Sequence, residues 1–92
     1  MNSEFKLKLF IAGMNPGSIR AIENIRKVCD NYLKNSYDLE VIDIYQQRHM
    51  VKEMNILMVP TLIRIFPEPE KRITGDMLDA DLVVKMLEIR CL

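Results

Sequence analysis

Apolar residues recur at every second position near the start of the chain. Phe5, Leu7, Leu9 and Ile11 alternate with Lys6 and Lys8, and Phe10 and Ala12 then fill the places between. Period-two alternation predicts a strand. The change from charged to apolar intervening residues predicts that its start is wet on one face and its end covered on both. Gly13 ends it. Asn15-Pro16 reads as a helix N-cap followed by proline in the first helical position. Ile22, Ile25, Cys29, Tyr32 and Leu33 then recur at helical spacing, which predicts a helix to about Lys34, closed by Asn35-Ser36. Leu39, Val41, Ile42 and Ile44 place apolar groups on both faces of a second strand, the pattern of a central, covered one.

Residues from Gln46 to about Met54 predict a short helix, with Met50, Val51 and Met54 as its inner face. Val59 to Phe66 is β-branched, aromatic and apolar, and predicts a strand with Pro60 at its beginning, where a missing N–H is tolerated. Pro67-Glu68-Pro69-Glu70 is a turn, and Lys71 to Thr74 completes a hairpin as a short edge strand. After Gly75, Asp76 or Asp79 can cap a last helix carrying Leu82, Val83, Met86, Leu87 and Ile89. The order is β-α-β-α-β-β-α over a single domain, residues 1–92, with a parallel pair first and a hairpin second. This is an α/β, thioredoxin-like, three-layer order. In that architecture the X-Pro bond opening the third strand is commonly cis, and Val59-Pro60 occupies the matching place.

Charge narrows the partners. Thirteen basic residues balance thirteen acidic ones, so there is no overall electrostatic pull toward nucleic acid. No apolar run reaches the roughly 18 residues of a membrane span. The first ten residues carry no signal-peptide apolar core, which leads us to expect a cytoplasmic protein. Cys29 and Cys91 are far apart in sequence, and in a reducing compartment a disulfide is not expected. Cys29 falls among helical apolar positions, where a free cysteine acts as a small hydrophobe.

The candidate chemistry is thin. Dithiol exchange needs C-x-x-C at the start of the first helix, where the helix terminus lowers the thiol pKa. The chain has Met14-Asn15-Pro16-Gly17 there, with neither sulfur. Ser18 lies in the first helical turn, where serine is usually a local hydrogen-bonder. His49, the only histidine, stands among Gln46, Gln47, Arg48 and Lys52 and reads as surface. Asp76, Asp79 and Asp81 read as helix-capping groups before they read as a metal cluster. No phosphate-binding glycine motif is present. We therefore expect no catalytic residue, metal or cofactor. Met50, Met54 and Met58 are expected to fill the core, with a surface that repacks against a partner as the alternative.

Several motifs together carry a family resemblance. Ala12, Gly13, Pro16, Ser18, Arg20 and Ala21, within LKLFIAGMNPGSIRAI, resemble the opening of KaiB proteins. LEVIDI, Leu39 to Ile44, resembles their second strand. VPTLIRIFPEPEKRITGD, Val59 to Asp76, resembles their pattern of Pro-Thr-Leu, a basic residue, Pro-x-Pro, basic residues and Gly-Asp.

The resemblance implies a non-catalytic regulator that binds a KaiC-like ring ATPase and modulates its phosphorylation or signalling output. A histidine kinase is a further partner class, and a homodimer or tetramer a possible assembly. Arg20, Arg64, Lys71 and Arg72 are the implied partner-binding residues, with Arg64→Glu expected to weaken binding and leave the fold intact. The resemblance also implies an alternative, the KaiB ground-state fold with a rearranged C-terminal half. Met86 and Glu88 stand where KaiB proteins have Gly and Asp. Both are good helix formers, so we expect the thioredoxin-like form, with Ile73 in a strand and Leu82 to Ile89 helical. The competing functional readings are a divergent thioredoxin-fold oxidoreductase and the sensor domain of a signalling histidine kinase.

Overall fold

A computed structural model describes residues 5–34, 36–75 and 80–88. The elements are β1 (Phe5–Ile11), α1 (Pro16–Tyr32), β2 (Tyr37–Asp43), α2 (Arg48–Glu53), β3 (Thr61–Phe66), β4 (Lys71–Thr74) and α3 (Ala80–Met86). This is the expected β-α-β-α-β-β-α order, and Ile73 lies in a strand as expected. The strands form one sheet in the order β2-β1-β3-β4. β1 runs parallel to β2 and antiparallel to β3, and β4 returns antiparallel to β3.

Strand β1 is central because its residues are apolar on both sides. Leu7, Leu9 and Ile11 point into one core with Ile25, Val28 and Cys29 of α1, Leu62 of β3, Ile73 of β4, and Val83 of α3. Phe10 points the other way, into a second core with Ile42, Ile56 and Ile63, against which Met50 and Val51 of α2 and Met54 just after it pack. The result is three layers: α1 and α3, the sheet, and α2.

The second strand corrects an expectation. β2 was expected to be central, yet it is an edge strand in which only Ile42 is fully buried. Asp38 and Glu40 alternate along it and stay exposed. Sequence placed apolar residues on both faces, but which of two apolar strands receives the second neighbour is decided by β3, which pairs with β1 through Leu9 opposite Leu62.

Helix α1 begins as expected. Asn15 Oδ1 accepts the Ser18 N–H at 2.9 Å and Pro16 opens the first turn. It ends at Tyr32, earlier than Lys34, because Lys34 takes a left-handed φ of 56°. Tyr37 Oη donates to Asp30 Oδ1 at 2.8 Å and ties α1 to β2. The Val59-Pro60 bond is cis as expected, as are Phe66-Pro67 and Glu68-Pro69, while β3 itself starts only at Thr61.

Helix α3 is shorter than expected. It stops at Met86, and Glu88 lies beyond it with a left-handed φ of 54°, so Glu88 is not a helix-interior residue. Of its expected apolar stripe, Val83 and Leu87 are buried, whereas Leu82 and Met86 are exposed. Seven residues span about two turns, so only positions four apart can face the sheet. The expected caps Asp76 and Asp79, and also Ile89 and Cys91, lie outside the described residues. Met58 is likewise exposed and does not fill the core, while Met50 and Met54 do pack against it. No helix among the described residues is long and apolar enough to cross a membrane.

Cys29 is 1% exposed, and burial, with the charge of Asp30 as a smaller cause, pushes its thiol up to about 12 from 9.0. A raised folded-state pKa means that the unfolded chain ionises first. Stability contributed by the neutral thiol is complete below about pH 9 and is lost as pH rises toward 12. Alkaline unfolding followed by circular dichroism is expected to show a weaker pH dependence above pH 9 in Cys29→Ala than in the native chain, with about 1 kcal/mol lost at neutral pH as a small core truncation. Removing the α1 cap by Asn15→Ala is expected to lower stability by about 1 kcal/mol, measured by urea unfolding.

Candidate docking site at the end of the sheet

Three chain segments meet where β1 and β2 end and β3 begins. After Ile11 the chain turns at Gly13, whose φ of 74° is left-handed and so strained for any residue with a side chain. Gly13 N–H donates to Asp43 Oδ1 at 3.1 Å, and the same oxygen accepts the Tyr45 N–H at 2.9 Å. One carboxylate at the end of β2 thus holds both loops. The Tyr45 ring lies over Gly13, about 3.5 Å from where a Cβ would stand. Asn15 completes the turn, its Nδ2 donating to the Ala12 carbonyl at 3.1 Å. Across from it, Thr61 Oγ1 donates to the Met58 carbonyl, and Gly75 N–H donates to the Pro60 carbonyl at 2.9 Å.

Between these loops opens a cleft of about 480 Å³. Asn15, Ser18, Arg20 and Asn24 line its α1 side, and Val59 and Pro60 the opposite side. Arg20 is the one charged residue in the lining. Ser18 is 8% exposed, and the lining supplies no histidine or carboxylate that could act as its base. His49 is on α2, exposed, as expected of a surface residue. Among the described residues no group of three His, Cys, Asp or Glu side chains is placed to hold a metal ion.

What the loops do present is apolar surface. Met14 is 65% exposed, Tyr45 64%, Leu57 89% and Met58 52%, all in the loops at this end of the sheet. Large apolar side chains held in solvent on neighbouring loops are the ordinary make-up of a protein-docking surface. The spacing of hydrophobic residues did not single these out. Met58 alone carries a sequence signal, the alternative reading of the methionines as a surface that repacks against a partner; Met14, Tyr45 and Leu57 fit neither period.

The implied partner-binding residues do not converge. Arg20 lies at the cleft, alongside Pro60. Arg72 points to the α2 side, where its guanidinium donates to the Met54 and Asn55 carbonyls at 3.1 and 3.3 Å and meets the Glu70 carboxylate at 2.6 Å. It clips the hairpin to the end of α2. Lys71 is on the α3 side, 3.3 Å from the Glu88 carboxylate. Arg64 corrects the expectation that its replacement leaves the fold intact. It is 4% exposed, opposite Leu7 in the sheet, and donates to the Leu87 carbonyl at 2.7 Å and the Pro69 carbonyl at 2.8 Å. Arg64→Glu would bury a carboxylate against two carbonyl oxygens, so it cannot leave the fold undisturbed.

Comparison with known proteins fixes the family. A KaiB domain model matches residues 8–89. The circadian clock oscillator protein KaiB of Prochlorococcus marinus (strain MIT 9312) is 41% identical over 83 residues, covering 90% of this chain and 79% of that protein. The protein of the same name from Picosynechococcus sp. is 34% identical over 89 residues, covering 97% and 86%. In three dimensions the chain is similar to the N-terminal domain of Synechococcus elongatus SasA, with a TM-score of 0.77 at 21% identity over 96% of this chain and 87% of that one. It is also similar to chloroplastic thioredoxin z, with a TM-score of 0.75 at 15% identity over 94% and 77%. At those identities the two structures speak for the fold alone, which is thioredoxin-like. Sequence and fold together place this chain in the KaiB family, the family of the circadian clock oscillator proteins KaiB.

Proposed function

We propose that the chain is a non-catalytic clock regulator that docks on a KaiC-like ring ATPase and thereby modulates its phosphorylation or signalling output in the cytoplasm. The observation that carries this reading is the end of the sheet. A redox thioredoxin-like enzyme needs its two thiols at the start of α1, where this chain has Met14-Asn15-Pro16-Gly17 and a cap that occupies the Ser18 N–H. Around the same point it exposes Met14, Tyr45, Leu57 and Met58. A site without a nucleophile but with exposed apolar anchors favours binding over turnover.

Arg20 supplies the charge in the cleft lined by α1, Val59 and Pro60. Lys71 and Arg72 contribute from the hairpin, where each already has an acidic neighbour, so their effect on a partner is that of rim charge, mainly on association rate. Arg64 contributes by positioning, since it is inside.

Binding to a KaiC-like ATPase of the same organism, measured by biolayer interferometry, is expected to weaken at least tenfold in Arg20→Glu and in Met58→Asp, a loss of about 1.4 kcal/mol or more. Lys71→Glu with Arg72→Glu is expected to act less, and mainly at low salt. Undiminished binding by all three variants would remove the docking assignment. In an insulin-reduction assay the chain is expected to give no rate above background, and turnover abolished by Cys29→Ala would reverse the non-catalytic reading.

A further inference from the structure

The methionines among the described residues fall into two environments. Met50 and Met54 pack against the core of Phe10, Ile42, Ile56 and Ile63. Met14 and Met58 belong to neither core, and each is more than half exposed. Both sit in loops whose backbone is held without help from the thioether. Around Met14, the Gly13 N–H donates to Asp43 and Asn15 Nδ2 donates to the Ala12 carbonyl. The Met58 carbonyl accepts the Thr61 hydroxyl at 2.5 Å. The two sulfurs are open to small solutes, and a change at either leaves these links in place.

Cys29 does not compete for an oxidant. It is buried, and burial holds its thiol protonated, with a pKa pushed up to about 12. Attack on peroxide needs the thiolate. Oxidation of the described sulfurs consequently falls on exposed thioethers. The sulfur lone pair attacks one peroxide oxygen, an S–O bond forms as the O–O bond breaks, and the departing hydroxide takes up a proton and leaves as water. Sulfur loses two electrons and the peroxide gains them. A polar, chiral sulfoxide replaces an apolar group.

We propose that Met14 and Met58 are sites of modification by peroxide, and that their sulfoxides withdraw apolar surface from the docking end of the sheet while the fold stays intact. This inference rests on the docking reading and adds its regulation: oxidation lowers affinity for the partner, and a thiol-dependent sulfoxide reductase restores it. Tyr45 and Leu57, the other large apolar residues exposed there, are untouched, so oxidation weakens docking without abolishing it. Met86 is exposed as well, but on α3, and supplies the control.

The test treats the full chain with hydrogen peroxide, removes the excess with catalase, and follows each methionine by peptide mass spectrometry. Met14 and Met58 are expected to oxidise at least about tenfold faster than Met50 and Met54, with an unchanged far-ultraviolet circular dichroism spectrum. Affinity for the KaiC-like ATPase is expected to fall about tenfold on treatment, since each sulfoxide removes apolar area from the contact. It is expected to recover after incubation with the two epimer-specific methionine sulfoxide reductases and dithiothreitol. In the chain carrying Met14→Leu and Met58→Leu, treated and untreated protein are expected to differ by less than about twofold, whereas Met86→Leu keeps the full peroxide effect. Equal oxidation of all four methionines, or loss of the spectrum on oxidation, overturns the site assignment. A double-leucine chain that responds to peroxide as the native chain does overturns the regulation. Met58→Asp separates the two readings: weakened binding by that variant beside full binding by the sulfoxide form removes the regulation alone, and full binding by both removes the docking assignment as well.

Discussion

Burial of both faces of β1 is the constraint on which the other elements depend. Leu7, Leu9 and Ile11 need one covering layer and Phe10 needs another. A strand with two apolar faces exposes too much surface to stand at an edge, so it takes neighbours on both sides and helices above and below. The parallel neighbour β2 requires a crossover, and α1 supplies it together with one cover. The antiparallel neighbour β3 brings the hairpin, and the long connection to it carries α2 to the other face. Cys29 belongs to this arrangement as a packed apolar group, which is why its proton is held so firmly.

The second half of the chain is held differently. It leans on cations satisfied by backbone oxygens: Arg72 on Met54 and Asn55, and Arg64 on Pro69 and Leu87. Such bonds are directional and depend on several segments being in place at once, unlike the apolar contacts of the first half. The fold thus adds these directional links to apolar cores that both halves build. Surface ion pairs such as Lys71–Glu88 add little beyond fixing geometry.

The loops at the end of the sheet are braced by Asp43, Asn15 and Gly75 through hydrogen bonds to backbone groups, so Met14, Tyr45, Leu57 and Met58 are displayed from a firm base. Rigid presentation lowers the ordering cost of association and makes exposed apolar residues effective anchors.

Much of the fold was legible in the sequence because periodicity reports local covering. Period two in Phe5 to Ile11, the Asn15-Pro16 cap, the β4 span Lys71 to Thr74 and the cis bond before Pro60 were all read from residues alone. The absence of a dithiol pair was equally plain. Periodicity does not report which strands become neighbours, so β2 read as central although it lies at the edge. Nor does it report where a long polar side chain goes. Arg64 interrupts an apolar strand and looks like surface charge, but its four-carbon reach to the α3 end and the 67–70 turn exists only once those segments are packed together. The same holds for Met58 and Leu57, whose exposure is set by the loops around them. Sequence determined the elements and showed that no C-x-x-C opens α1. Tertiary packing decided the strand order, the burial of a cation and which apolar side chains stay exposed, because each depends on segments distant in the chain.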